Sequence, residues 1–291
     1  RGRGLKLTAE NEDMDWTLGD LLDFSNGSLP GDYWLRADPG REMTVRFNGA
    51  NITTNTASLQ LRGVGVNFVD ENGLSALRNL TRNEKTLTLR EGVSLTTTGA
   101  LTNTGSLQVG FGGGSLTVNG DLISPGGISL FSSDEFDPEG SSVEVTVNGS
   151  LTTGPDTQLR IGGAETIPAS LIVNGSFDGL DGTRFTSSVS AGGTFQFDDA
   201  LITENSGTLR IGTPDGRIID QHGSNAITNL VRNHEGAQFA VYSGKKLSLP
   251  GGFRNEGTFE IQSTANPGIN DTEVTISGDL TNSGLIELIA A

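Results

Sequence analysis

The chain has 291 residues, with 42 Gly but only 9 Pro, 2 Trp and 2 Tyr, and 35 acidic against 19 basic side chains for a net charge of −16. That balance disfavours a nucleic-acid binder that must neutralise phosphates, and the composition is neither collagen-like nor that of a Pro-rich disordered tail. Cysteine is absent, which removes disulfides, thiolate catalysis and Cys-ligated metals. No stretch of about 18 apolar residues occurs, so no transmembrane segment is predicted. The start, Arg1-Gly2-Arg3-Gly4, reads as the product of leader removal or as a fragment.

Residues 1–45 hold Trp16, Tyr33, Trp34 and the acidic run Glu10-Asn11-Glu12-Asp13-Met14-Asp15. They lack the repeat markers found later and read as an N-terminal cap or docking segment, because an open solenoid end needs cover. From residue 46 onward the chain repeats. Leu116-Thr117-Val118-Asn119-Gly120-Asp121-Leu122 returns at Val145 to Leu151, at Leu171 to Phe177 and at Val274 to Leu280, with Gly spacings of 29, 26 and 103 residues. A second marker, Asn-x-Gly at Asn103, Asn205, Asn255 and Asn282, is spaced by 102, 50 and 27 residues. Both ladders fit one unit of about 26 residues, and such a period decides architecture. Ala76–Asn83 also matches Ala226–Asn233 at an offset of 150, near six units.

Within each unit apolar residues alternate with polar ones, as at Leu107 and Val109, Leu209 and Ile211, or Phe259 and Ile261. Period two gives strands with one face in and one out. Asn-Gly and Gly-Gly pairs are expected to supply positive-φ corners, and only Leu74 to Asn83 could form a helical turn or two. Ten or so such coils over 46–291, with no crossover helices, predict an all-β, single-stranded parallel β-helix. It is expected to be right-handed. Val118, Val147 and Val173 should form one internal ladder, and Leu122, Leu151 and Phe177 another. Asn119, Asn148 and Asn174 should stack their amides at one corner for stability.

The strings Leu-Thr-Asn-Thr-Gly-Ser-Leu-Gln-Val and Leu-Thr-Val-Asn-Gly-Asp-Leu resemble the β-helical passengers of bacterial autotransporter and haemagglutinin-like surface proteins. They are also similar to Gly/Asn/Thr-rich extracellular β-solenoid repeat proteins. The resemblance covers about residues 46 to 291 and implies secretion to the bacterial cell surface or exterior with an adhesive or matrix role. It carries no catalytic motif.

Dinucleotide, Walker, zincin and serine-hydrolase signatures are missing. Polysaccharide-cleaving β-helix enzymes need paired carboxylates, and Asp198-Asp199 with His222, Arg232 and His234 is the nearest match. The flanking motifs of polygalacturonase-like enzymes are lacking, so the reading is non-enzymatic. Two acidic clusters could offer oxygens to Ca2+: Asp134, Glu135, Asp137 and Glu139, and Glu12, Asp13 and Asp15. Solvated charge is the competing explanation for both.

The chain ends Leu285-Ile286-Glu287-Leu288-Ile289-Ala290-Ala291, apolar on both phases of the strand. An apolar strand of this kind needs a cover. The leading expectation is a structural subunit that joins head to tail, with Trp16, Trp34, Leu285, Ile286, Leu288 and Ile289 at the junction. The alternatives are a monomeric adhesin that binds glycan or host protein, and a polysaccharide-cleaving enzyme.

Overall fold

The structure, a computed structural model, describes residues 4–18, 27–132, 142–162, 167–178, 186–189, 192–263 and 271–290. Among them there is no helix, and every strand pairing is parallel. The chain is a β-solenoid.

Twelve of the strands of its longest sheet stack in register as one face. They are Gly4–Ala9, Ser28–Ala37, Thr54–Arg62, Thr86–Arg90, Ser106–Gly110, Gly127–Phe131, Gln158–Gly162, Thr186–Val189, Thr208–Gly212, Gln238–Tyr242, Thr258–Ser263 and Leu285–Ala290. One inward row runs through them without a polar residue: Leu7, Leu35, Leu61, Leu89, Val109, Leu130, Ile161, Val189, Ile211, Val241, Ile261 and Leu288. Stacking puts like over like, so each branched side chain excludes water for the one above it.

A second face carries the row Leu95, Leu116, Val145, Leu171, Phe195 and Ile218. The predicted neighbours Val118, Val147 and Val173 lie beside it in register. A third face holds Leu101, Leu122, Leu151 and Phe177. Both predicted apolar ladders are therefore present. Towards the C-terminal coils the core takes stacked rings, with Phe239 and Phe259 centroids 5.3 Å apart and their planes nearly parallel.

The boundary expected at residue 45 is not a break in the stack. Strand Gly4–Ala9 pairs in register with Ser28–Ala37, and Met14–Leu18 with Met43–Phe47. These coils lack the Asn-x-Gly marker but keep the alternation, with Ala9, Leu35, Ala37, Val45 and Phe47 all buried. A search for markers misses them, whereas a search for alternating burial includes them. The turn or two of helix allowed at Leu74 to Asn83 is also not formed. That stretch makes tight turns, in which the Leu80 amide donates to Leu77 O at 2.9 Å. The counterpart at offset 150 repeats the bond, from Leu230 N to Ile227 O at 2.9 Å.

Asparagines hold the third face. Asn55 Nδ2 donates to Asn83 Oδ1 at 2.7 Å, Asn83 to Asn103 at 2.7 Å, and Asn103 to Ser124 Oγ at 2.9 Å. A second column runs from Asn205 to Asn233 at 2.7 Å, to Asn255 at 2.8 Å and to Asn282 at 2.8 Å. All of these except Asn282 are buried. The predicted corner ladder of Asn119, Asn148 and Asn174 is present too, at 2.8 and 2.9 Å, but it is exposed.

Positive φ is found at the Asn-Gly glycines Gly27, Gly49 and Gly73 and at Gly112 to Gly114, whereas the glycine of Asn-x-Gly serves a close approach. Gly105 does not adopt positive φ; a Cβ there would stand 1.9 Å from Lys85 O of the preceding coil. The motif thus combines a buried amide with the close approach of two backbones.

Candidate functional site

The exposed features fall at the two ends of the stack and along its sides. At the C-terminal end, Ile286 and Leu288 take the core register over Phe259 and Ile261, while Leu285 and Ile289 take the outward register over Thr258 and Gln262. Among the described residues no coil stacks on this strand's outer edge, and Leu288 is 76% exposed, although Val241 in the same row is fully buried. Leu280, Leu285 and Ile289 are exposed beside it. At the opposite end Trp16 lies in Met14–Leu18, which among the described residues pairs on one edge only, and is 46% exposed.

Trp34 is not at that end. Its strand is paired on both edges, Lys6 on one side and Gln60 on the other, and its half-buried ring lies on the lateral face. The assignment of Trp34 to an end junction is corrected accordingly. Sequence spacing could not have shown this, because it hinges on Gly4–Ala9 being a coil of the stack.

Of the acidic clusters, Asp134, Glu135, Asp137 and Glu139 lie outside the described residues. Glu12, Asp13 and Asp15 border an open depression of about 490 Å3 with Trp16. Asp13 Oδ1 accepts the Glu42 amide at 3.0 Å, and Asp15 faces Arg46 at 3.4 Å. Among the described residues no three His, Asp or Glu side chains converge as a metal site requires.

Of the paired carboxylates nearest to an enzyme pattern, Asp199 is engaged away from the histidines. Asp199 and Gln221 form a reciprocal pair, the Asp199 amide donating to Gln221 Oε1 at 2.7 Å and Gln221 Nε2 to Asp199 Oδ1 at 3.0 Å. His222 is exposed on a turn that Asp220 caps through the His222 and Ser224 amides. His234 lies 2.6 Å from Glu204, and Arg232 binds Glu256 at 2.7 Å. Hydrogen bonding from Arg232 holds the Glu256 carboxyl below its ordinary range. The structure brings His234 to Glu204 and Arg232 to Glu256, and neither to Asp199.

Two buried ions escaped sequence reasoning. Asp70 is buried, which alone would raise its pKa. The amides of Leu74 and Asn72 and the Arg78 guanidinium at 2.9 Å hold it below the ordinary value instead. Lys245 occupies a buried corner and donates to Pro214 O at 3.0 Å and Gly216 O at 2.6 Å; burial lowers its pKa. The repeat alignment hid it, since Val93 is the residue at the equivalent corner.

These features define a parallel β-solenoid with an exposed apolar strand at one end and a polar, partly aromatic lateral face. Among its described residues no helix is long and apolar enough to cross a membrane. No family model, curated protein or solved structure matches the chain.

Proposed function

We propose that this chain is a non-enzymatic structural protein of the bacterial cell surface or exterior, a rigid rod that associates head to tail into a filament or matrix fibre. The observation that carries the reading is the edge strand Leu285–Ala290, which keeps the core register and leaves Leu288 exposed. Continuing that register into a second copy sets Ile286 over Leu5, Leu288 over Leu7 and Glu287 beside Lys6. The apolar rows then extend unbroken and opposite charges meet at the outward position. The resemblance to surface β-helical proteins supports the location. The adhesin reading draws on a separate feature, the lateral face at Trp34.

The test is negative-stain electron microscopy of the purified protein at rising concentration. Uniform fibres many rods long are expected. Leu288→Lys should abolish them, and the charge swap Glu287→Lys with Lys6→Glu should restore what either change alone weakens. Single rods at every concentration would overturn the proposal.

A further inference from the structure

On the lateral face of the first four coils, the outward positions of the long sheet gather basic and aromatic side chains. Lys6, Trp34 and Gln60 stack in one column. Two residues further along the strands, Arg36, Arg62 and Arg90 stack in a second. In a chain with 19 basic residues and a net charge of −16, this is a local reversal of sign.

The two columns are unequally neutralised. Arg36 pairs with Asp38 at 2.9 Å and Arg62 with Glu91 at 2.5 Å. Arg90 has no carboxylate partner among the described residues and lies over the Phe111 ring, its Cζ 4.4 Å from the centroid. Burial, and then the neighbouring Arg62, hold its pKa below the ordinary arginine value. An anion placed there would relieve that unfavourable charge. Lys6 likewise lacks a carboxylate, and its ammonium lies 4.1 Å from the centroid of the Trp34 ring. Lys6 and Arg90 lie three coils apart, about 14 Å at the usual strand spacing.

Beside Lys6 lies a surface depression of about 450 Å3, walled by Lys6, Tyr33, Trp34, Asp32, Ser58 and Gln60, with the arginine column on the far side of the Trp34 ring; the Asp32 carboxylate on its wall is paired with Lys85 at 2.9 Å. An aromatic surface with a few convergent hydrogen-bonding groups suits a sugar ring and its hydroxyls. Lys6 on its wall and Arg90 further along the same face, neither paired to a carboxylate among the described residues, suit a chain of rings that bears acidic groups. We infer that this face is a binding site for an acidic oligosaccharide, one sugar seated against Trp34 and its carboxylate or sulfate groups met by Lys6 and Arg90. An acidic peptide would use the cations but has no need of the aromatic surface. The Trp34 ring and the arginine column are lateral, and only Lys6 would meet Glu287 of a second copy, so the inference does not rest on head-to-tail association and single rods present the site complete.

The test is calorimetric titration of the whole protein, and of its Leu288→Lys variant, with four probes: oligogalacturonate, a heparin oligosaccharide, a malto-oligosaccharide and poly-glutamate. Binding of at least one acidic sugar is expected, weakening as salt is raised, with the neutral sugar and the peptide at least about tenfold weaker. The oligogalacturonate and heparin arms tell carboxylate from sulfate as the favoured group. Trp34→Ala should weaken binding at least about tenfold, with Trp34→Phe keeping part of it, and Arg90→Gln should weaken it by about threefold to tenfold. Gln60→Glu, which keeps the side-chain size and adds a negative charge to the depression, should weaken it without lowering the melting temperature. Failure of both acidic sugars to bind, equal binding of poly-glutamate or of the neutral sugar, or unchanged affinity in folded Trp34→Ala and Gln60→Glu proteins would overturn the inference.

Discussion

Replacing Asn233 by alanine tests whether the buried amide columns hold the coils together. The wild-type side chain is fully buried. It accepts from Asn205 Nδ2 at 2.7 Å and donates to Asn255 Oδ1 at 2.8 Å and Thr258 O at 3.0 Å. In Asn233→Ala, Asn205 Nδ2 keeps the Gly207 and Gln238 carbonyls, but Asn255 Oδ1 loses its donor where water cannot enter. One orphaned buried acceptor costs about 1–3 kcal/mol, and the other lost bonds add about 1 kcal/mol, so a loss of about 2–4 kcal/mol is expected. Asn282, the exposed end of the same column, sets the scale: Asn282→Ala should cost about 0.5–1 kcal/mol. Asn233→Asp is a sharper variant, because a carboxylate cannot donate to Asn255 Oδ1. It should cost at least as much at neutral pH and recover on acidification, when the protonated acid donates again. The assay is urea unfolding followed by circular dichroism, with the slope checked against wild type, since a change in slope would mark loss of all-or-none unfolding along the stack. Equal losses for Asn233→Ala and Asn282→Ala would refute the reasoning.

Gly105→Ala should destabilise by several kcal/mol, about as much as an overpacked core, because its Cβ would meet the Lys85 carbonyl and the neighbouring backbone cannot yield; thermal melting measures it. Val241→Ala should cost about 2 kcal/mol and Leu288→Ala almost nothing in dilute solution, although the two share one row, since only the first is buried. The Asp70 carboxyl, lowered in the folded state, contributes stability that is complete above its ordinary value of 3.8 and is lost as pH falls through its folded value. The melting-temperature gap between wild type and Asp70→Asn should therefore close below about pH 4, and a gap that stays constant across that range would contradict the assignment.

How far the site was legible follows from particular residues. Ile286 and Leu288 were readable as core-phase residues of the last strand, because the alternation of Leu285–Ala290 is local. The lateral site was not readable: Lys6, Trp34 and Gln60 lie 28 and 26 residues apart and meet only through the stacking of their coils. Nor could spacing reveal that Asp199 is engaged by Gln221 and Glu256 by Arg232, since each contact depends on the length of the intervening coil. That length varies from 20 residues between Leu87 and Leu107 to 31 between Ile128 and Leu159.

The amino-acid sequence by itself determined the all-β class, the unit of about 26 residues and the identity of the apolar ladders. In a parallel solenoid each residue rests on its own counterpart one coil away, so the repeat in sequence is the repeat in space. Only the tertiary structure decided that the strands Gly4–Ala9, Met14–Leu18, Ser28–Ala37 and Met43–Phe47 belong to the stack and that the asparagines of Asn-x-Gly are buried columns rather than turn residues. It also decided which charged groups are left to meet a ligand. These are matters of register and burial, and a coil a few residues longer or shorter changes what lies above each side chain without altering the pattern along the chain.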